Sequence, residues 1–521
     1  MSILQICVII TPRADGPVLL FVIKRQRNKQ TLSIKSRLEI IKVLVHAEAA
    51  VMRVVIADIK GHGGFVNKDT VVGGYGSRFL GFSWTTNWIE RVRKLFQNVP
   101  SIHAGYLAAI FEKAGHDVRV TRDEFVDGDI ALVLSSLVDY RHEIEWVQES
   151  KRRYGMRVGF FGAPATHMPE LLEDHADFII KGEPEQAAMR IAAGEIPVGI
   201  MASPAIDNLD SLPFPAWHLF DQSHARHAVG RSIRASRRAF PILSSRSCPE
   251  FCTYCPHRIT APYRSRSAEN VVAEIEEICA QHELPYLIFR DPLFSEERER
   301  STGIAEGILR KNLKVQFECE TRLDDLDTEL LDLLHRAGLN TITFGVESVD
   351  PATLKRVGRR PIPPDHQRHI VSYCRDKGIT TEGFFVIGFL TDTVESIRAT
   401  IDYSIDLSPT FALFKVLTPF PGTPLFKHMK PLITETDWQK FDGYTPTFRH
   451  PHMSYVDLMH LLGLAYTRFY VRPSFALNYL GIKTPIETLS TLMHLEGYAK
   501  RRQIEEDLAF FEAQASKATD Q

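Results

Sequence analysis

Cys248-Pro-Glu-Phe-Cys252-Thr-Tyr-Cys255 holds three of the chain's seven cysteines within eight residues, spaced C-x3-C-x2-C. Three thiolates on one short loop suit three irons of a cubic [4Fe–4S] cluster, which normally takes four cysteine ligands. No fourth protein ligand is apparent nearby, so one iron would stay open to a small molecule. Zinc is the competing reading, with His257 as a fourth ligand, although structural zinc favours paired C-x2-C spacings. A disulfide framework fits worse, because seven cysteines in 521 residues are odd in number and sparse.

Tyr254 precedes the last cysteine, so the loop reads C-x3-C-x-aromatic-C. That pattern resembles the radical S-adenosylmethionine (SAM) superfamily. The resemblance implies that Cys248, Cys252 and Cys255 hold a [4Fe–4S] cluster. It also implies that the open iron binds SAM, whose reductive cleavage gives a 5′-deoxyadenosyl radical.

Around the loop, six short apolar strands alternate with helical patterns, which predicts a partial (β/α)6 TIM barrel over 241–426. The strands begin at Pro241, Tyr286, Lys314, Thr341, Thr381 and Phe411. Helices are expected over 268–282, 297–311, 328–337, 364–377 and 393–407. Barrel enzymes build their sites at the carboxyl ends of the strands. Asp291, Glu320, Arg322, Glu347 and Ser348 fall at such ends, and Gly388 follows the fifth strand. Five strands ending in polar groups on one side suggest a shared pocket, although such residues also cap helices or pair with one another. By resemblance, Asp291 would hold the SAM amino group, Gly388 would flank the adenine, and Tyr254, Glu320, Arg322, Glu347 and Ser348 would complete the SAM site. Pro419-Phe-Pro-Gly-Thr-Pro-Leu-Phe426 resembles the family's T-P-x-P-G-T-P-L loop. Cys279, Cys319 and Cys374 read as packing residues.

Ahead of the barrel, 52–200 alternates strands and helices from Met52-Arg-Val-Val-Ile-Ala-Asp58 onward. The strand in 130–136 is apolar up to its closing Ser135-Ser136, as in a parallel strand buried on both faces. This predicts a doubly wound, flavodoxin-like, Rossmann-like domain. It resembles the cobalamin (B12)-binding domain of one radical SAM class, the class B methyltransferase type. The likeness rests on 108–118 (AAIFEKAGHDV), on Ser135-Ser136, on the loop containing Gly162, and on Gly182-Glu183-Pro-Glu185. By resemblance, Ser135, Ser136, Gly162, Gly182 and Glu183 would touch cobalamin. The motif D-x-H-x-x-G is absent. His62 and His167 are candidate lower ligands by residue type only, and a solvated loop histidine is the plainer reading of each. Glycines at 61–76 let backbone approach a ligand but match no nucleotide fingerprint.

Residues 1–51 read as a poorly structured extension upstream of a start at Met52. Residues 201–240 read as a linker, stiffened at Ser211-Leu-Pro-Phe-Pro-Ala-Trp217, with the basic run 231–238 on a solvated face. Residues 427–521 read as a helical region. Its aromatic and basic segments either close the pocket or pack without touching ligand.

A net charge of −2 gives no basic field for nucleic acid. No apolar stretch reaches the ~18 to 20 residues of a membrane span, and no signal peptide is evident. An oxygen-sensitive cluster suits the cytoplasm. Expected partners are a small-molecule or lipid substrate and an electron donor such as flavodoxin or ferredoxin. The expected reaction is cobalamin-dependent methylation of an unactivated carbon. Radical cyclisation, oxidation or rearrangement without methyl transfer is the alternative, and a non-catalytic metal- or cluster-binding protein is the reading from another class.

Overall fold

A computed structural model of the chain describes residues 3–11, 18–26, 51–61, 63–68, 71–221, 226–229, 232–472 and 475. No helix among them is long and apolar enough to cross a membrane. Residues 1–51 separate as a unit of their own. Within that unit Ile3–Thr11 and Val18–Gln26 pair antiparallel over nine residues, a hairpin that the reading of a poorly structured extension did not foresee. The helical pattern expected near residues 38–45 lies outside the described residues.

The first sheet of the second unit has six strands, all in parallel pairs, ordered Gly199–Ser203, Phe178–Gly182, Arg157–Phe161, Ile130–Leu134, Arg53–Ala57, Asp117–Thr121. In chain order this is 2-1-3-4-5-6, the flavodoxin-like winding with its switch point beside the first strand. Ile130–Leu134 is buried at all five positions, because helices cover both faces. Helix Ile102–Lys113 buries nine residues on the sheet and starts from Ser101, whose hydroxyl accepts from Ala104 N–H. The hinge does not swing free of this helix. A Cβ on Gly105 would sit 2.8 Å from Pro215 Cβ and 3.0 Å from the Trp217 ring, so the Pro-Phe-Pro-Ala-Trp segment docks where only glycine leaves room.

The second sheet is an open half-barrel. Ser232–Ile242, Tyr286–Phe289, Gln316–Thr321, Leu339–Glu347, Thr380–Ile387 and Phe411–Val416 pair in parallel and in sequence order. The first strand begins well before Pro241. The basic run expected on a solvated linker face therefore lies largely inside it, and Arg237 donates to the Leu284 carbonyl at 3.2 Å. Arg226–Val229 adds antiparallel to this edge. Gln97–Asn98, from the N-terminal part of the chain, then pairs with Arg226–Val229 and makes eight strands.

The opposite edge, Phe411–Val416, is covered by helix Tyr455–Tyr470. Tyr466 Oη accepts from Phe414 N–H at 3.3 Å and donates to its carbonyl at 3.0 Å. Tyr470 Oη does the same at Ala412, at 3.2 and 2.8 Å. Four helical residues rise about 6 Å and two strand residues about 6.6 Å, so tyrosines at i and i+4 match backbone at i and i+2. The hydroxyls thus satisfy an edge that would otherwise be unpaired.

Candidate active site

The cysteine loop leaves the first half-barrel strand at Ile242. It is tied by two-residue pairing of Ser245–Arg246 with Arg264–Ser265. Asp291, at the end of the second strand, anchors it from below. One carboxylate oxygen accepts from the Ser244 and Ser245 hydroxyls at 2.7 and 2.6 Å, and the other from Ser244 N–H at 3.0 Å. Asp291 is fully buried. Both oxygens accept hydrogen bonds from the chain itself, so Asp291 positions the cysteine loop.

Two further straps hold the cysteines. Thr253 N–H donates to the Val357 carbonyl at 2.8 Å, and Leu425 N–H to the Thr253 carbonyl at 3.0 Å. The first strap turns at Gly358, where φ is +74° and a Cβ would lie 2.5 Å from the Phe251 carbonyl oxygen. Only glycine allows that approach, and it delivers the next residue to the cluster site. Arg359 donates toward Cys252 Sγ at 3.9 Å and pairs with Glu347 at 3.6 Å.

Cys248, Cys252 and Cys255 are partly exposed and free of disulfides. Burial pushes the Cys248 thiol up to about 12 and raises Cys255 as well. Iron binding would have to displace those protons. Three free thiols on one loop, one of them taking a guanidinium hydrogen bond, are the donor set that a [4Fe–4S] cube would take, one cysteine to each of three irons.

Beside the loop a cavity of about 450 Å³ runs into the half-barrel. Tyr254, Cys255, His257, Glu320 and Glu347 line its cluster end. Burial pushes Glu320 up to about 7, although the charges of Arg290 and Lys415 oppose it. Burial also raises Glu347, partly offset by Arg359. Glu347 sits at φ +66°, a strained backbone that aims it into the site. Tyr254 packs edge-on against Phe389 at 5.9 Å, and burial followed by the Glu347 charge keeps its phenol protonated.

The other residues expected at SAM stand further off. Arg322 is buried, bonded to Asp324 at 2.9 Å and to the Arg360 carbonyl at 3.0 Å, with Nη1 left unpartnered. Ser348 Oγ accepts from Asp350 N–H. Gly388, at φ +85°, donates its N–H to Asp392. None of these three lines the cavity.

A second, smaller cleft of about 100 Å³ lies between the carboxyl ends of the first sheet and the cysteine loop. Gly162, Gly182 and Glu183 line it, as expected, together with Gly73, Gly74, Arg246 and His257. Ser135 and Ser136 do not. Ser135 Oγ donates to the Phe161 carbonyl, and Ser136 Oγ to Glu143, both within the domain. Glu183 is ion-paired to Arg246 at 3.2 Å and to Arg264, so its carboxylate already ties the two sheets together. Gly73 N–H donates to His257 Nε2 at 3.4 Å, and a Cβ on Gly73 would strike the Pro256 carbonyl carbon at 2.8 Å. Burial pushes His257 down to about 4, so its imidazole is neutral. His62 lies outside the described residues. His167 is not the solvated loop residue expected; it stacks on Tyr75 at 6.1 Å with Nε2 buried and unpartnered.

Several residues of the site escaped the sequence reading. Arg359 was signalled only by the Gly358-Arg-Arg360 turn. Arg290 and Lys415 carried no motif, and His257 was read only as a candidate zinc ligand. Helix Trp84–Phe96 went unnoticed, although Ser83 and Thr86 form its reciprocal cap, and it brings Trp88, Ile89, Val92 and Arg93 to the cavity.

A half-barrel with a three-cysteine loop at the carboxyl end of its first strand defines a class. Residues 242–404 match the model of the radical SAM superfamily, so the half-barrel is similar to a radical SAM domain. The class uses a [4Fe–4S] cluster and SAM. The chain is 26% identical over 275 residues, 52% of its length and 58% of the relative's, to an uncharacterized methyltransferase of Pyrococcus horikoshii. It is 27% identical over 281 residues, 53% of its length and 49% of the relative's, to an anaerobic magnesium-protoporphyrin IX monomethyl ester cyclase of Rubrivivax gelatinosus. The chain thus spans about half the length of the curated relatives it matches. Its fold is similar to that of the radical SAM methyltransferase TsrM of Kitasatospora setae, solved with cobalamin and a [4Fe–4S] cluster. That TM-score is 0.54 at 16% identity, covering 74% of this chain and 76% of that one.

Proposed function

We propose that the chain is a cobalamin-dependent radical SAM methyltransferase acting on an unactivated carbon of a small molecule. The observation that carries this reading is the shared wall of the two cavities. His257, Arg290 and Pro292 face both the half-barrel cavity and the cleft at the carboxyl ends of the flavodoxin-like sheet. A group carried in the cleft and a substrate carried in the half-barrel would meet across the cysteine loop. The methyltransferase name among the relatives and the cobalamin in a structural neighbour point the same way.

Cys248, Cys252 and Cys255 would hold the cluster, which supplies the electron for SAM cleavage. Glu320 and Glu347, on neighbouring strands at the cluster end, would receive the SAM amine. Arg359 offsets thiolate charge and keeps Glu347 oriented. Tyr254 and Phe389 shield the loop from water. For cobalamin the wall residues are Gly73, Gly74, Gly162 and Gly182, whose lack of side chains suits a flat ring. The cleft as it stands is far smaller than a corrinoid, so binding requires its walls to part. A flavodoxin or ferredoxin would supply electrons, in keeping with a reducing cytoplasm.

The test is anaerobic reconstitution followed by mass analysis. Formation of 5′-deoxyadenosine, a bound corrinoid, and a product heavier by one methylene unit are the expected results. SAM cleavage without that mass gain would support a cyclase-type reaction instead. Absence of both cluster absorbance and 5′-deoxyadenosine would leave only a metal-binding protein.

A further inference from the structure

Two cations line the half-barrel cavity, and among the described residues neither is ion-paired to a carboxylate. Lys415 lies on the last half-barrel strand, two residues from the end at Val416 counting itself, and faces the cavity. No hydrogen bond or ion pair reaches its ammonium among the described residues; its near neighbours are the Tyr444 ring at 5.9 Å and the backbone of Gly443. Arg93 enters the same cavity from helix Trp84–Phe96, on the N-terminal side of the chain. Its guanidinium lies over the rings of Phe65 and Phe79 at 5.3 and 5.6 Å and bonds Tyr444. No carboxylate comes within ion-pair distance of it among the described residues.

Burying one unpaired cation is costly, and burying two in one cavity adds their repulsion. Burial and then the Arg93 charge push the Lys415 ammonium down to about 8. Glu320, Glu347 and Asp442 act on Lys415 from a distance without pairing with it. Proteins that carry such groups commonly neutralise them with a ligand. The cavity's wall near them is aromatic, with Phe65, Tyr444, Tyr466 and Tyr470, and also carries Glu382, whose charge acts on Arg93.

We propose that Lys415 and Arg93 together anchor an anionic group of the substrate, a carboxylate or a phosphonate- or phosphate-type oxyanion. The rest of the substrate would then lie against the aromatic wall, facing the cysteine loop. This rests on the reading of the cavity as the substrate site of a radical SAM enzyme. It makes the substrate an acid, and it makes helix Trp84–Phe96, outside the half-barrel, a determinant of specificity.

The test uses the anaerobically reconstituted full chain with benzoate and methylphosphonate as probes, titrated calorimetrically with and without saturating SAM. At least one probe should bind the SAM-loaded protein. Lys415→Met and Arg93→Met should each weaken that binding at least tenfold, and Lys415→Arg should restore most of it. Cluster absorbance and circular dichroism report whether each variant has folded, and the arginine variant keeps the test open if a methionine variant has not. Two outcomes overturn the proposal: no probe binds the SAM-loaded protein, or folded methionine variants bind as tightly as the parent. Binding that SAM abolishes also overturns it, because the SAM carboxylate is then the occupant. Loss of SAM cleavage in the parent would refute the radical SAM reading separately, since anion binding is read without turnover.

Discussion

Arg359 stands between Cys252 Sγ, at 3.9 Å, and the Glu347 carboxylate, at 3.6 Å, and so links a cysteine of the loop to a buried acid lining the cavity. Its positive charge would stabilise a thiolate-held cluster, and it opposes the burial that raises Glu347. Arg359→Gln should make the cluster harder to reduce, seen as a more negative midpoint in an EPR-monitored titration. A hydrogen bond to a charged group contributes about 1.5–3 kcal/mol, so SAM cleavage should slow roughly ten- to hundredfold. An unchanged midpoint and rate would show that the contact is incidental.

Asp291 offers a contrast between a positioning and a binding role. Asp291→Asn replaces one accepting oxygen by a donor that faces Ser244 and Ser245, stranding a buried group. The expected loss of stability is about 1–3 kcal/mol, read as a lower urea midpoint, with poorer cluster loading. The KM for SAM in the loaded fraction should hold. A raised KM at unchanged stability would return Asp291 to the SAM site.

Arg246 joins the half-barrel to the first sheet through Glu185 at 2.7 Å and Glu183 at 3.2 Å, with Glu185 fully buried. Removing one partner of a buried pair leaves an uncompensated charge and costs about 3–5 kcal/mol. Arg246→Leu should therefore unfold at markedly lower urea than the parent. A loss below about 1 kcal/mol would mean that water or rearrangement relieves Glu185.

Anion binding in the half-barrel should weaken as pH rises through about 8. Lys415 holds its proton less tightly than an ordinary lysine, because of burial and then Arg93, so its cationic form is complete only below that value. Glu320, raised to about 7 by burial, gains its negative charge just before and repels the same anion. Glu347, Asp442, Arg93 and the Tyr444 ring also face Lys415. Benzoate keeps one negative charge from pH 6.5 to 9, and its affinity over that range should fall steadily; a flat profile would contradict the assignment. Lys415→Met should remove the part of the fall centred near 8 and leave the part due to Glu320.

The six half-barrel strands were legible because each is a short apolar run between amphipathic helices, and the last five start within two residues of where they were expected. The hairpin at residues 3–26, the early start of Ser232–Ile242 and the pairing of Gln97–Asn98 were not legible. Strand pairing across distant sequence leaves no local period to read. Ser135 and Asp291 illustrate the same limit at the level of function. A polar residue at a strand end looks alike whether it faces a ligand or a neighbouring backbone group.

Sequence alone determined the chemistry that the loop can support: three thiols in C-x3-C-x2-C, the winding of two parallel sheets, and the place of the loop at the end of a strand. These depend on spacing and periodicity, which are local. Tertiary structure alone decided which charges meet. Arg359 reaches Cys252 across 107 positions in the chain, and Arg93 and Lys415 share a cavity from opposite ends of the second unit. Only folding brings such groups into one low-dielectric space, where an unpaired charge carries a large free energy and a ligand can relieve it.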